Sequence, residues 1–200
     1  WFHLGGDEAH IFATCPVCSK RKPMELYSEH LDAVASVLRA KGVRPGIWCD
    51  MVLGDADAFR KANLPRSFTV WHWDYEYDGK TAPTETAWSG KSELLQKLGF
   101  DVIFCPSSAS YTDGPFLPRY GRHADNIAAS AALARDKNMR GLCVTSWSIR
   151  GTTKRLQRPL WQFAARRYLN PADDVAADFA AAFAPAFGEV RAETLRDLSN

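Results

Sequence analysis

The sequence predicts an α/β fold built on parallel strands. Five short apolar runs recur along the 200 residues, and segments with helical periodicity separate them. No glycine-rich phosphate loop follows the first run, which counts against a nucleotide-binding sheet. A closed eight-stranded barrel takes about 250 residues, so five strands in this length fit the last part of one. A doubly wound open sheet satisfies the same alternation. In either arrangement the working residues are expected at the C-terminal ends of the strands and in the loops beyond them.

Residues 1–6 read as a short strand ending in Gly5-Gly6, followed by a polar loop with Cys15 and Cys18. Pro23 opens a helix to about residue 41, with Leu26, Tyr27, Leu31, Val34, Ala35 and Leu38 on one face and Gly42 as its stop. Residues 44–51 form the second strand, with Asp50 at its tip. A short helix around 55–62 leads to the strand 67–73, and a long loop over 74–88 carries Tyr75, Tyr77 and Trp88. Ser89 caps a helix ending near Leu98, with Gly99 just beyond it. Residues 101–105 are a fourth strand, 106–121 a second long loop, 123–137 a helix and 141–147 the fifth strand. Pro159 starts a helix through Tyr168, and two more helices follow at 171–184 and 189–198. The expected division is therefore 1–170 for the sheet-bearing part and 171–200 for a C-terminal helical segment.

Composition bounds the function. Hydrophobic residues make up 46% and charged residues 24%, the balance of an ordinary soluble domain. A net charge of +2 leaves no footprint for nucleic acid, and no apolar run reaches the roughly 18 residues that span a bilayer. The chain opens on Trp1-Phe2-His3-Leu4 inside an apparent strand, so earlier strands are expected upstream and the compartment is open. Five cysteines are too few for a disulfide scaffold at this length, and a lone CxxC reads first as a structural turn and only second as a zinc site. Seven Trp, six Tyr and eleven Phe fall largely near strand ends, where rings serve either as core or as platforms for sugar faces.

Two adjacent carboxylates, Asp7 and Glu8, close the first strand after His3-Leu4-Gly5-Gly6. In a regular strand they would point to opposite faces. Two glycines permit backbone geometries in which both face one pocket, and such a pair suits one acid and one anion in acid–base work. On its own an Asp-Glu pair is an exposed acidic turn; the His-x-Gly-Gly before it and the strand end give it chemical meaning.

The stretch HLGGDE resembles the His-x-Gly-Gly-Asp-Glu signature of glycoside hydrolase family 20, the β-N-acetylhexosaminidases. The likeness continues through Trp48, Tyr111-Thr112-Asp113 and Trp147, in the family's order and at strand ends, over roughly residues 1–150. It implies a retaining mechanism in which the substrate's own 2-acetamido oxygen attacks the anomeric carbon, an exception to the two-carboxylate scheme. By that resemblance Glu8 is the general acid and base, and Asp7 binds the acetamido N–H. Tyr111 donates to the acetamido oxygen and Asp113 binds a sugar hydroxyl. Trp48 and Trp147, with Trp71 or Trp73, wall the pocket, and His3 supports the carboxylates. No cofactor is implied; the partner is an oligosaccharide or glycoconjugate.

Two positions depart from the family. Trp147-Ser148-Ile149 lacks the Glu that follows the family's last tryptophan by two residues, and the substrate-binding Arg of the family's first strand has no counterpart. Residues 1–200 alone are accordingly expected to be inactive and marginally folded. Two other readings compete. One is a carbohydrate-binding barrel without turnover. The other is a metal-dependent hydrolase using His3, Asp7, Glu8 and His10, although the H-E-x-x-H spacing is missing.

Overall fold

The structure, a computed structural model, describes residues 1–57, 67–80, 87–114, 116–147, 151–188 and 194–195. It is a mixed α/β chain with parallel strands, and it divides into two compact units: residues 1–73 with 90–103, and residues 74–89 with 104–200.

The first unit contains β1 (Phe2–His3), α1 (Pro23–Arg39), β2 (Pro45–Trp48), α2 (Asp50–Gly54), β3 (Thr69–Trp73), α3 (Lys91–Lys97) and the start of β4 (Asp101–Cys105). The strands are ordered β1-β2-β3-β4. β1 runs parallel to β2 with His3 opposite Gly46, and β2 runs parallel to β3 with Trp48 opposite Trp71. Strand alternation then gives the sheet two characters. Ile47 and Val70 are fully buried on one face. His3, Gly46, Trp48, Trp71 and Trp73 belong to the other. Of the face expected on α1, Tyr27, Leu31 and Ala35 are buried and Met24 joins them, whereas Leu26 and Leu38 are half-buried and Val34 is exposed; Pro23 occupies the first helical position.

The second unit holds the rest of β4, then β5 (Ser107–Ala109), α4 (Tyr120–Asp136), β6 (Gly141–Leu142), β7 (Thr145–Ser146), α5 (Lys154–Leu169) and α6 (Val175–Phe187). Its core joins Tyr120 and Ile127 of α4, Leu160 and Phe163 of α5, and Phe179 and Phe183 of α6. Phe179 stacks on Phe183 at 3.9 Å, and Tyr120 meets Phe183 edge-on at 5.0 Å. Each such side chain contributes about 2 kcal/mol on burial.

Several expected elements are corrected. The loop over 106–121 contains strand β5, which pairs in parallel with β7. The single strand over 141–147 is two strands, β6 and β7. Pro106 accounts for both: it has no N–H to give the ladder, so β4 and β5 separate there, and Thr145 N–H bonds the Pro106 carbonyl at 2.8 Å where the second ladder begins. Helix α5 starts at Lys154, after Thr153, and carries Pro159 in its interior, because Thr153 O already takes the N–H groups of Leu156 and Gln157. The strand expected over 44–51 ends at Trp48, and Asp50 is the first residue of α2. α6 begins at Val175, capped by Asp174, whose carboxylate accepts from Ala176 N–H at 2.8 Å. The short helix expected at 55–62 falls mostly outside the described residues. So does nearly all of the helix expected at 189–198, together with Ser148, Ile149 and part of the loop 74–88.

Candidate active site

In the first unit the chain leaves β1 through Gly5 at φ 74° and Gly6 at φ 82°, and Glu8 itself stands at φ 47°. A left-handed conformation costs a residue with a side chain about 1 kcal/mol. Two contacts hold it. Tyr27 Oη donates to Gly6 O at 2.8 Å, and Glu8 N–H donates to Asp50 Oδ2 at 2.7 Å. A Cβ on Gly6 would lie 2.8 Å from the Tyr27 hydroxyl, so only glycine admits that bond. The Asp7 and Glu8 side chains are both exposed.

Beside them is an aromatic group on one sheet face. The His3 and Trp48 rings are 4.3 Å apart, His3 and Trp71 5.0 Å edge-on, and Trp48 and Trp71 6.3 Å edge-on. Gly46 makes this possible, since a Cβ there would sit 2.8 Å from Trp71 Nε1 and 3.3 Å from His3 Cδ2. Burial pushes the His3 imidazole below its usual range, and the Asp7 charge offsets this only in part. Burial raises the Tyr27 phenol, and the Asp50 and Asp7 charges raise it further. His3 Nε2, Trp71 Nε1 and Asp50 Oδ1 are buried without a hydrogen-bond partner among the described residues. Such atoms are costly to bury, and Ser28 Oγ and Arg39 Nη1 of the same unit share that state. Trp73 is half-buried on β3.

Tyr111, Asp113 and Trp147 lie in the second unit. Asp113 is 2% exposed and enclosed by donors. Its carboxylate takes His123 Nε2 at 2.9 and 3.0 Å, Ser110 N–H at 2.9 Å and Arg119 N–H at 3.4 Å. Burial works to raise its pKa, yet His123 and these N–H groups bring it below the usual carboxylate value. Thr112 is tied by Arg122 Nη1 at 2.6 Å and lies 2.9 Å from Ser110 Oγ. Tyr111, between these anchored neighbours, is 62% exposed. Trp147 is 36% exposed and its indole N–H donates to Tyr75 Oη at 2.6 Å.

The sequence pointed to no functional role for Tyr27, Tyr75 or His123, and it placed Asp50 at a strand tip without assigning it a role. Of these, only Asp50 carried a local signal, a carboxylate just past a strand. Asp74 is buried and accepts from the N–H groups of Glu76 and Tyr77 at 3.0 and 3.1 Å.

Other chemistry-bearing groups are less suited. Asp113, His123 and Ser107 line up as in a nucleophilic triad, with Ser107 Oγ 3.2 Å from His123 Nδ1. All three are sealed from solvent, so the hydroxyl meets no substrate. A cleft of about 340 Å³ lies between Arg39, Arg44, Pro45, Ser67 and Asp101. It sits at the N-terminal ends of the strands, away from Asp7 and Glu8, and Arg44 there is paired with Asp101 at 2.6 Å. Among the described residues no three His, Cys, Asp or Glu side chains gather as a metal site, and no helix is long and apolar enough to cross a membrane.

Compared with family models and with curated proteins, the chain matches none.

Proposed function

We propose that the chain is the part of a (β/α)8 barrel running from about its fourth strand to its eighth, and that the complete barrel to which it belongs removes terminal β-linked N-acetylhexosamines. One observation carries this reading: Asp7 and Glu8 stand exposed beyond β1, past Leu4-Gly5-Gly6, in the segment that leaves the ring group of His3, Trp48 and Trp71. In the proposed reaction Glu8 protonates the glycosidic oxygen as the substrate's acetamido oxygen bonds to the anomeric carbon. The leaving group departs as an alcohol and an oxazolinium forms. Asp7 accepts the acetamido N–H and stabilises the positive charge that develops there. Glu8, now a carboxylate, takes a proton from the water that reopens the ring.

The ring face formed by Trp48 and Trp71, continued by Trp73, offers apolar surface to the sugar and the acetamido methyl. Asp50 is assigned as a positioning residue, because it fixes the backbone of Glu8. Tyr111 and Trp147 take the roles the resemblance gives them, as acetamido donor and pocket wall. Asp113, with all its acceptors occupied, is reassigned from sugar contact to anchoring the Tyr111 loop. The substrate is an oligosaccharide or glycoconjugate, and no cofactor takes part.

The test is hydrolysis of a chromogenic β-N-acetylglucosaminide by the full-length protein that carries this chain, with Glu8→Gln and Asp7→Asn. Each is expected to lower kcat by about 100-fold to 10,000-fold, while a thiazoline mimic of the cyclised intermediate inhibits the unaltered protein strongly. Full turnover in both variants overturns the reading. A carbohydrate-binding barrel without turnover is the second reading, favoured by Ile149 standing where the family has Glu. It expects sugar binding with no hydrolysis at all.

A further inference from the structure

We propose that Cys15 and Cys18 are a redox-active dithiol, which closes to a disulfide by exchange with a low-molecular-weight disulfide and reopens with the corresponding thiol. This does not rest on the glycosidase reading.

The turn that follows the Asp7-Glu8 segment brings the Cys15 sulfur onto the Cys18 backbone. Ser19 N–H bonds Cys15 O at 2.8 Å, closing one turn of chain, and Cys18 N–H points at Cys15 Sγ at 3.2 Å. Arg21 N–H bonds Cys18 O at 2.9 Å and ends the short 3-10 segment Cys18–Lys20. Both thiols are free, Cys15 exposed and Cys18 half-buried, whereas Cys49 and Cys105 are in the interior. Among the described residues no third His, Cys, Asp or Glu joins them. A structural zinc takes four such ligands and the described residues offer two here, so these accessible thiols one turn apart are suited to exchange chemistry.

The pair is also asymmetric. The Cys18 N–H, the Cys18 thiol and the Val17 N–H hold the Cys15 thiol below its usual pKa, and the same contact holds Cys18 above it. Cys15 is therefore the attacking sulfur. Its thiolate attacks one sulfur of the small disulfide, forming a mixed disulfide and expelling one thiolate. Cys18 then loses its proton and attacks Cys15 Sγ, expelling the second thiolate. The protons of the two cysteines end on the two released thiols, so the protein is oxidised by two electrons and the small disulfide is reduced. Phe12, in the same segment, meets the Tyr27 ring edge-on at 5.5 Å, and Tyr27 Oη holds Gly6 O. The dithiol thus lies on a segment anchored next to Asp7.

The experiment uses the folded, reduced protein and oxidised glutathione, followed by alkylation and peptide mass mapping. The expected product carries an internal Cys15–Cys18 disulfide, lighter by two hydrogens and reopened by reduced glutathione, while Cys49 and Cys105 alkylate only after unfolding. Before oxidation, Cys15 is expected to alkylate about tenfold faster than Cys18. The Cys18→Ser variant should trap Cys15 as a glutathione adduct, and Cys15→Ser should leave Cys18 open to alkylation. Circular dichroism confirms that both variants are folded. Equal alkylation rates with no internal disulfide overturn the proposal, as does protection of both thiols by added zinc at stoichiometric concentration.

Discussion

The two compact units use polar residues in opposite ways. In the first, Asp7 and Glu8 are exposed on a tightly turned backbone, and His3 Nε2, Trp71 Nε1 and Asp50 Oδ1 are buried with no hydrogen-bond partner among the described residues. In the second, Ser130 Oγ and Arg167 Nε aside, polar groups are drawn into closed networks. Asp113 is surrounded by donors, and Asn126 bonds Ser107 N–H and the carbonyls of Asp74 and Tyr77 at 2.8 to 3.1 Å. Ser108 Oγ lies 2.9 Å from Gln157 Oε1 and accepts from Trp161 Nε1 at 2.8 Å. A satisfied buried network specifies structure; an unsatisfied one is costly. A buried carboxylate is thus no guide to function until its partners are counted.

That contrast can be broken by substitution, and the largest effect is expected in the second unit. Asp113→Asn leaves a single acceptor oxygen where His123, Ser110 and Arg119 all donate. It should lower the stability measured by chemical denaturation by about 3 kcal/mol. If Asp113 were a substrate contact and not an anchor, stability would hold and KM alone would rise.

Asp50→Ala should do the reverse in the first unit. It removes one hydrogen bond at the protein surface, a loss of about 1 kcal/mol, but releases the Glu8 backbone from φ 47°. Under the proposed function kcat falls by at least about tenfold with KM nearly unchanged, because displacing a catalytic group is costly. Asp50→Asn, which keeps an acceptor oxygen, should recover much of the loss. A stability loss as large as that of Asp113→Asn would place Asp50 among structural residues and end the contrast.

The smallest effect concerns pH. The His3 pKa in the fold is below its ordinary 6.5, chiefly through burial. The unfolded chain therefore binds the proton more readily, and stability must rise with pH in that interval. The contribution of His3 is complete above about pH 6.5 and is lost as pH falls through the lowered folded value. Denaturation midpoints from about pH 8 to about pH 5 should show it, and His3→Gln should flatten this part of the profile. An unchanged slope in the variant would mean that His3 is not held neutral by burial.

How much was legible follows from the kind of signal. Strand Asp101–Cys105 and helix Pro23–Arg39 fall where apolar runs and helical period put them, because burial of one face imprints its period on neighbouring residues. Strand Ser107–Ala109 was not legible. Its serines are fully buried but bonded, so the segment shows no apolar alternation. The interior place of Pro159 was missed because its preference for a first helical turn is statistical, while Thr153 starts the helix a turn earlier. Within the candidate site, Asp7 and Glu8 are legible as neighbours in the covalent chain. Asp50 is not legible as the partner of Glu8, since 42 residues separate them.

The sequence alone determined the α/β class, the places of helix Pro23–Arg39 and strand Asp101–Cys105, and the presence of adjacent acids after Gly5-Gly6. These are local properties, set by side-chain period and backbone permissiveness. Only the tertiary structure decided that Asp113 is enclosed and Asp7 exposed, that Gly46 lets His3 and Trp71 meet, and that Asp50 holds Glu8. Those outcomes depend on strand register and helix packing, which bring distant residues within about 3 Å, and a hydrogen bond exists only at that range.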